Sequence, residues 1–171
     1  WSGSKVTNGN GAAYDKRATE LHDNTGNNKG TNPDIIAVYM GVNDFDNNVE
    51  LGSFKELSEV YTKENGYITP ENFAQAYAIM LHKITQKYGK ADVYVFTLPY
   101  NGANKDTAIM DKYNDTIRNI AKYFKCRVVD IAAIDGYEYE KYTSDGLHPN
   151  EQGMDLITDL FVRTLKSVYK K

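Results

Sequence analysis

The sequence predicts an α/β fold in which helices cover a parallel sheet. Three short apolar runs, at residues 35–40, 92–97 and 128–131, alternate with longer segments whose apolar residues recur at helical spacing. Such alternation is typical of parallel sheets, because two parallel strands need a long crossover connection. The 171 residues contain no internal repeat and no linker-like stretch, so we expect a single domain over residues 1–171.

The first half of the chain is predicted to hold one strand and few helices. Residues 12–21 favour a short helix, and the Asn/Gly-rich residues 23–32 favour a loop. The run at residues 35–40 has no polar alternation, which predicts a strand buried on both faces in the middle of a sheet. A long irregular connection is expected over residues 45–69.

Three longer helices are predicted after residue 68. The first is expected to take Thr69 as its N-cap and Pro70 as its first residue, and to end at Gly89. Apolar residues at helical spacing predict the second helix over residues 109–124. The closing helix is predicted over residues 150–169, after a tyrosine-rich loop.

Composition gives no support for a nucleic-acid-binding, membrane-spanning or disulfide-stabilised protein. The net charge of -3 gives no indication of a nucleic-acid partner, and no apolar stretch is long enough to span a membrane. One cysteine, Cys126, excludes an internal disulfide and a cysteine-based zinc site, and we expect it to be a small buried hydrophobic residue. His22 and His82 are expected to be structural or surface residues.

The segment Asp145-Gly146-Leu147-His148 places a carboxylate three residues before a histidine, in a predicted loop that enters the last helix. Such a carboxylate can accept a hydrogen bond from one imidazole nitrogen, which leaves the other nitrogen free to take a proton from a nucleophile. A simpler interpretation is a turn followed by a helix start, because Asp-Gly is a common turn dipeptide and Pro149 suits the first helical position.

The apolar run at residues 35–40 ends abruptly in Gly41-Val42-Asn43-Asp44. Ligands of open parallel sheets bind beyond the carboxyl ends of the strands, so this segment falls where a site is expected. The Asn43 side chain offers a neutral N–H donor that suits an oxyanion. Alternatively, Asn43 and Asp44 merely end the strand and cap the next segment.

Together with Ser2-Gly3-Ser4, these two segments resemble three of the four sequence blocks of the SGNH (GDSL-like) hydrolases. The resemblance implies a flavodoxin-like three-layer α/β/α fold with a parallel sheet, and a serine esterase that needs no metal or organic cofactor. It also implies that His148 and Asp145 are catalytic and that Gly3 and Asn43 form the oxyanion hole. The fourth block, Gly-Asp-Ser, carries the nucleophile and occurs nowhere in the chain.

The nucleophile is therefore expected on a segment upstream of Trp1, and the 171-residue chain alone is expected to be inactive. Ser2 and Ser4 are alternative nucleophiles. However, the resemblance places their block on the oxyanion side of the site, and a serine in a surface loop is usually a turn residue. With the upstream serine present, His148 would act as general base and Asp145 would orient its imidazole.

Only three strands are predicted, which is fewer than a parallel sheet covered on both faces usually has. The run at residues 35–40 is also too apolar for an exposed sheet edge, which normally carries charge or proline. The resemblance accounts for both observations, because the family's first strand carries the serine and lies beside this one. The domain is thus predicted to be N-terminally incomplete, its first two strands supplied by a missing segment or by a second chain.

Tyrosines and carboxylates are concentrated in residues 135–142, and Tyr100 and Asn101 follow a predicted strand. Tyrosine faces with polar neighbours suit a sugar ring better than a fatty acyl chain, which needs an apolar groove. We therefore predict that Tyr100, Asn101 and Tyr142 bind the substrate. Tyrosine is abundant in this chain, with 14 copies, so the same residues also fit a packing role.

The leading hypothesis is an esterase that removes O-acetyl groups from carbohydrate. Three alternatives remain open: a lipase or acyl-thioesterase of the same family, a catalytically dead carbohydrate-binding module of the same fold, and a flavodoxin-like nucleotide or flavin binder. The last alternative leaves both motifs unexplained. A polysaccharide-like substrate slightly favours export from a bacterial cell.

Overall fold

The computed structural model describes residues 5–7, 13–21, 30–100 and 107–169. The strands are β1 (Ile35–Val38), β2 (Tyr61–Thr62), β3 (Gly66–Tyr67), β4 (Asp92–Phe96) and β5 (Arg127–Val129). The α-helices are α1 (Val42–Asp46), α2 (Phe73–Lys87), α3 (Thr107–Tyr123), α4 (Tyr139–Tyr142) and α5 (Glu151–Val168). Short 3-10 helices cover Lys16–Thr19, Leu57–Glu59 and Ile131–Ala133.

The main sheet has the strand order β1-β4-β5, and both pairs are parallel. Val38 pairs with Val95, which in turn pairs with Val128, so the three strands end at the same edge of the sheet. Strands β2 and β3 form a small antiparallel hairpin. The predicted α/β fold with a parallel sheet is confirmed.

Helices cover both faces of the sheet and give it three layers. On one face, Ile36, Val38 and Val95 pack into a core built largely from α2 and α3, in which Phe73 and Ile117 are fully buried. On the other face, Tyr94, Phe96 and Val129 pack against Ile157 and Phe161 of α5. The sheet is thus enclosed between α2 and α3 on one side and α5 on the other. None of the described helices is long and apolar enough to cross a membrane.

Strand β1 differs from its prediction in position and in burial. In the described part of the chain it is the edge of the sheet, not its middle. Ile36 and Val38 are buried, but Ile35 is 42% exposed, because α5 packs on β4 and β5 and leaves that face of β1 open. The expectation of a strand buried on both faces is therefore wrong here, and β1 also ends at Val38 instead of residue 40.

Several predicted boundaries are also wrong. Helix α2 begins at Phe73, not near Thr69, because Asn72 is its N-cap and accepts a hydrogen bond from the Gln75 N–H at 3.0 Å. It ends at Lys87, before Gly89. The helix predicted over residues 12–21 is only the 3-10 turn Lys16–Thr19, and the connection over residues 45–69 contains the end of α1, a 3-10 helix and the hairpin. Strand β5 stops at Val129, so residue 131 already belongs to a 3-10 helix.

The side chains of His82 and Cys126 pack against other residues, as expected of structural residues. The His82 side chain is only 6% exposed and its Nδ1 lies 3.0 Å from the Tyr67 hydroxyl. The imidazole also packs against Tyr61 and Phe124, with ring centroids 5.0 and 5.7 Å away. Burial lowers the pKa of His82, and burial raises the pKa of the half-buried Cys126 to about 12.

We predict that His82 makes the fold less stable in mild acid. Its pKa is lower in the folded state than in the unfolded state, so the unfolded chain binds more protons as the pH falls below about 6.5. The contribution of His82 is therefore complete above the unfolded pKa and is lost as the pH falls towards the folded one. Urea unfolding at pH 7.5 and 5.5 measures this loss, and His82→Gln should reduce the difference between the two values.

Tyr67→Phe is the matched control, because it removes the hydroxyl at Nδ1 and keeps the imidazole buried. This variant should retain the pH dependence of the wild type. An equal pH dependence in wild type and His82→Gln would contradict the assignment.

Candidate active site

The dyad predicted at the end of the chain lies at the edge of the sheet where the strands end. Helix α5 runs antiparallel to the strands: Phe161 packs against Phe96 near the end of β4, and Tyr169, just after the helix, hydrogen-bonds Asp92 at the start of β4. The N-terminus of α5 therefore points to the carboxyl edge of the sheet. The loop before α5 and Asn43, which follows β1, share that edge.

His148 and Asp145 are joined by a hydrogen bond with an Nδ1 to Oδ2 distance of 2.7 Å. The backbone N–H of His148 donates to the other carboxylate oxygen at 2.8 Å, and that of Leu147 does so at 3.0 Å. The His148 amide, followed by the imidazole and the Leu147 amide, lowers the pKa of Asp145 to about 2. Because the ionised carboxylate can only accept, Nδ1 of His148 is the donor, and in a neutral imidazole the lone pair is then on Nε2.

Asp145 makes both the contacts expected of a turn residue and the contact expected of a catalytic carboxylate. One oxygen of Asp145 closes the turn through the Leu147 and His148 amides, and the other holds the imidazole. Pro149 is not the first residue of the helix. Asn150 is the N-cap, and its Oδ1 accepts from the Gly153 N–H at 3.0 Å.

The dyad loop is fastened to the elements on both sides of it. The Ser144 N–H donates to the His148 carbonyl at 2.8 Å, and Thr143 and Pro149 form an isolated β-bridge. The Asn150 N–H donates to the Tyr142 carbonyl at 3.0 Å, which ties the start of α5 to α4. The loop is thus closed at its base by backbone contacts, and its tip carries the dyad.

The imidazole is open to solvent. The His148 side chain is 75% exposed and that of Asp145 is 54% exposed. Within the described parts of the chain, no hydroxyl group hydrogen-bonds to Nε2. The described residues therefore bring the imidazole and the carboxylate together in the predicted arrangement, with Nε2 exposed.

Asn43 lies in α1, which begins directly after β1. Gly41 makes this tight connection possible: it has φ of +124°, and a Cβ there would lie 3.2 Å from the Phe73 ring. Gly41 is also the N-cap position, and no side chain caps α1 there. The alternative interpretation of Asn43 and Asp44 as capping residues is therefore wrong.

Sequence reasoning missed the role of the neighbouring carboxylate. Asp44 is fully buried, and its Oδ2 accepts a hydrogen bond from the Val6 N–H at 2.7 Å. Its Oδ1 accepts from the Thr7 N–H at 3.1 Å and from the Thr7 hydroxyl at 2.7 Å. The only signal in the sequence was an acidic residue directly after the predicted oxyanion donor, which does not reveal a partner 38 residues away.

Two predicted substrate-binding residues have other contacts. The Tyr100 hydroxyl donates to Asp111, a hydrogen bond that raises the pKa of Tyr100. Tyr142 stacks on Tyr137 with ring centroids 5.5 Å apart, and the Lys141 ammonium lies 4.9 Å from the Tyr142 ring centroid. The other residues singled out from the sequence, Ser2, Gly3, Ser4, His22 and Asn101, lie outside the described residues.

Two cavities are relevant to the site, one beside the dyad loop and one beside β1. One of about 390 Å³ follows the dyad loop and is lined by Tyr139, Glu140 and the residues from Thr143 to Leu147. The other, of about 280 Å³, follows β1 and is lined mostly by apolar side chains such as Ile36, Val38 and Met80. Among the described residues, no group of three His, Cys, Asp or Glu side chains is arranged to hold a metal ion.

We predict that Gly153→Ala disturbs the dyad loop. A Cβ at Gly153 would lie 2.1 Å from the Tyr142 carbonyl oxygen, so α5 has to move away from the loop that it holds. The expected loss is about 1–3 kcal/mol in the free energy of unfolding, together with altered NMR signals of His148. Gly89→Ala is the control, because its Cβ would meet only ordinary contact at 3.4 Å. Equal effects of the two substitutions would contradict the prediction.

Comparison with solved structures shows the same fold in several proteins. A protein of Lactobacillus plantarum superposes with a TM-score of 0.71 at 18% identity, over 99% of this chain and 77% of that one. A lipase/acylhydrolase of Enterococcus faecalis gives 0.54 at 20% identity, over 79% and 62% of the two chains. An acetyl xylan esterase gives 0.56 at 20% identity, over 77% and 66%. At these identities the likeness shows the fold alone.

A search of curated proteins finds no significant match. The model of the GDSL-like Lipase/Acylhydrolase family, in contrast, matches residues 2–156, a stretch that includes the Gly3, Asn43 and Asp145-to-His148 segments. The resemblance inferred from the sequence is confirmed, and the chain belongs to the GDSL-like Lipase/Acylhydrolase family.

Proposed function

We propose that this chain contributes the general base, its orienting carboxylate and two oxyanion donors to a serine esterase that removes acetyl groups from carbohydrate. The observation that carries the proposal is the His148–Asp145 pair, with Nδ1 bonded to the carboxylate and Nε2 open at the same edge of the sheet as Asn43. This is the arrangement that an Asp-His pair needs before it can activate a hydroxyl nucleophile.

In the proposed reaction, a serine hydroxyl attacks the ester carbonyl while Nε2 of His148 takes its proton. Asp145 stabilises the imidazolium that forms, and Asn43 donates a hydrogen bond to the oxyanion of the tetrahedral intermediate. The imidazolium then returns its proton to the leaving alcohol. Water hydrolyses the acyl-enzyme by the same steps, which completes ester hydrolysis without a metal or an organic cofactor.

The serine is proposed to come from a segment upstream of Trp1. The high exposure of His148 supports this proposal, because a base of this kind works where its nucleophile and the substrate exclude bulk water. Gly3 is proposed as a second oxyanion donor on the basis of the family resemblance.

The proposed acyl group is small. The cavity beside the dyad is lined by a mixture of polar residues, such as Glu140, Thr143 and Asp145, and apolar ones, and an acetyl group on a sugar needs no long apolar groove there. The fold similarity to an acetyl xylan esterase is compatible with this choice. Tyr100 and Tyr142 are proposed to contact the sugar, together with Asn101.

A lipase is the second candidate, because the model of the family that matches this chain describes both lipases and acylhydrolases. The two candidates differ in chain-length preference. An acetyl esterase should prefer p-nitrophenyl acetate to p-nitrophenyl octanoate in kcat/KM, and a lipase should show the reverse preference.

We predict that the 171-residue chain does not turn over p-nitrophenyl acetate and that a chain extended upstream through a Gly-Asp-Ser block does. In the longer chain, His148→Ala should lower kcat by several orders of magnitude, because the serine then lacks its base. Asn43→Ala should lower kcat by roughly 10²–10³-fold, the usual cost of one oxyanion donor. Activity between pH 4 and 8 should not report the protonation of Asp145, because its pKa is about 2.

Labelling with a fluorophosphonate locates the nucleophile by mass spectrometry. Full activity in the 171-residue chain, with label on Ser2 or Ser4, would overturn the upstream assignment. A longer chain that binds acetylated oligosaccharide without hydrolysing it would favour the carbohydrate-binding alternative.

We also propose that the upstream segment adds a strand to the open edge of β1. The Asp34 carbonyl accepts from the Asp92 N–H at 2.8 Å, so residue 34 and alternate residues after it face β4. The backbone groups of Ile35 and Ala37 then face outwards, next to the apolar cavity of about 280 Å³. Unpaired backbone groups beside an apolar surface favour a further strand.

We predict that the 171-residue chain associates through this edge and that the longer chain does not. Size-exclusion chromatography with light scattering should give a mass above 19.3 kDa for the short chain. Ala37→Lys should reduce the association, because charge on an edge strand opposes pairing. Ala133→Lys, at an exposed position elsewhere, is the control. A stable monomer of the short chain would contradict the proposal.

A further inference from the structure

We propose that Asp44 is a positioning residue, which fastens the N-terminal segment that follows Gly3 to the helix that carries Asn43. Residues 6 and 7, which follow the predicted oxyanion donor Gly3 closely in the sequence, are thereby held by one buried carboxylate to the helix of the other predicted donor, Asn43. This inference rests on the proposed esterase function and adds to it a residue that neither binds substrate nor transfers a proton.

The contacts of Asp44 are unusually complete for a carboxylate. Its side chain is fully buried, and both of its oxygens accept hydrogen bonds from the Val6–Thr7 backbone, at 2.7 and 3.1 Å. The Thr7 hydroxyl adds a third bond at 2.7 Å. Among the described residues, no Lys, Arg or His forms an ion pair with Asp44, so these three donors replace the water that burial removes.

The segment held by Asp44 is also fixed on its other side. Val6 is fully buried in the main core, and its carbonyl accepts from the Tyr14 N–H at 3.4 Å. The Lys5 carbonyl accepts from the Ala13 N–H at 3.2 Å. Asp44 is thus one of several anchors for residues 5–7, and it is the anchor that connects them to α1.

The position of Asp44 in the helix makes it suited to this task. It follows Asn43 directly, and its backbone carbonyl accepts from the Val49 N–H at 3.0 Å. The Val49 carbonyl in turn accepts a hydrogen bond from the buried Tyr113 hydroxyl. Burial, and then the charge of Asp44, raise the pKa of Tyr113 to about 12. Hydrogen bonds therefore connect Asp44 of α1 through Val49 to Tyr113 of α3. Residues 6 and 7, which bind the Asp44 carboxylate, are held to the same network.

The consequence for catalysis is a loss of transition-state stabilisation when the link is broken. An oxyanion hole works because its donors are already in place when charge develops, so a looser N-terminal segment should lower kcat. Binding of the neutral ester should change little, because the oxyanion exists only during the reaction. KM should therefore stay almost constant.

The first test uses Asp44→Asn in the 171-residue chain. The amide side chain keeps the size of the carboxylate but turns an NH₂ group towards the N–H donors of Val6 and Thr7. Hydrogen exchange followed by NMR should show protection of these two amides reduced at least about 10-fold relative to the Val95 amide in β4. Thr7→Val should give a smaller reduction, because it removes only the hydroxyl bond. Unchanged protection in Asp44→Asn would overturn the proposal, whatever the activity of the protein.

The second test uses the longer, serine-bearing chain at a temperature where every variant is folded. Asp44→Asn should lower kcat for p-nitrophenyl acetate about 10- to 100-fold, with KM within about twofold of the wild type. Glu50→Gln removes one negative charge from an exposed position nearby and should leave both constants unchanged. A normal kcat in Asp44→Asn would overturn the positioning role.

The two failures can be told apart. A wild-type longer chain that hydrolyses no ester would refute the proposed function, and the exchange experiment would still decide whether Asp44 holds the segment. An active wild type with an unaffected Asp44→Asn variant would refute the positioning role and leave the esterase function standing.

Discussion

The parallel pairing of β1, β4 and β5 is the constraint on which the arrangement of this molecule depends. Parallel strands end at the same edge, so the segments that follow them are brought together although they are far apart in the sequence. Helices α2 and α3 return the chain to the opposite edge on one face, and α5 covers the other face. Because α5 runs antiparallel to the strands, its N-terminal loop reaches the edge where β1 ends.

Carboxylates hold the loops at that edge, and they do so mainly by accepting hydrogen bonds from nearby donors. Asp44 after β1 binds residues 6 and 7, and Asp145 before α5 binds two amides and an imidazole. Asp130 after β5 accepts from Arg118 at 2.8 and 2.9 Å and from the Thr97 hydroxyl at 3.0 Å. Each carboxylate supplies two oxygens with several lone pairs, so a single side chain can satisfy donors from a loop that has no regular backbone pairing.

The exposed imidazole of His148 and the open edge of β1 are related features. The imidazole is fixed by Asp145 but uncovered on the side of Nε2, and β1 is covered on the α2 face but open on its outer edge. The imidazole is thus hydrogen-bonded at Nδ1 and exposed to solvent at Nε2, and β1 is packed on its α2 face and borders a cavity at its outer edge. A segment that pairs with β1 would end at the same edge as the dyad, because parallel strands share that edge.

The sequence by itself determined the fold class, the family and the spacing of the dyad. These properties depend on local patterns: apolar runs of strand length, helical periodicity, and an Asp three residues before a His, two side chains that can bond when the short segment between them forms a turn. The tertiary structure alone decided the burial of β1, the start of α2 at Phe73 and the partner of Asp44. An apolar run does not reveal which faces its neighbours cover, and a carboxylate that binds a segment 38 residues away leaves no trace in local spacing.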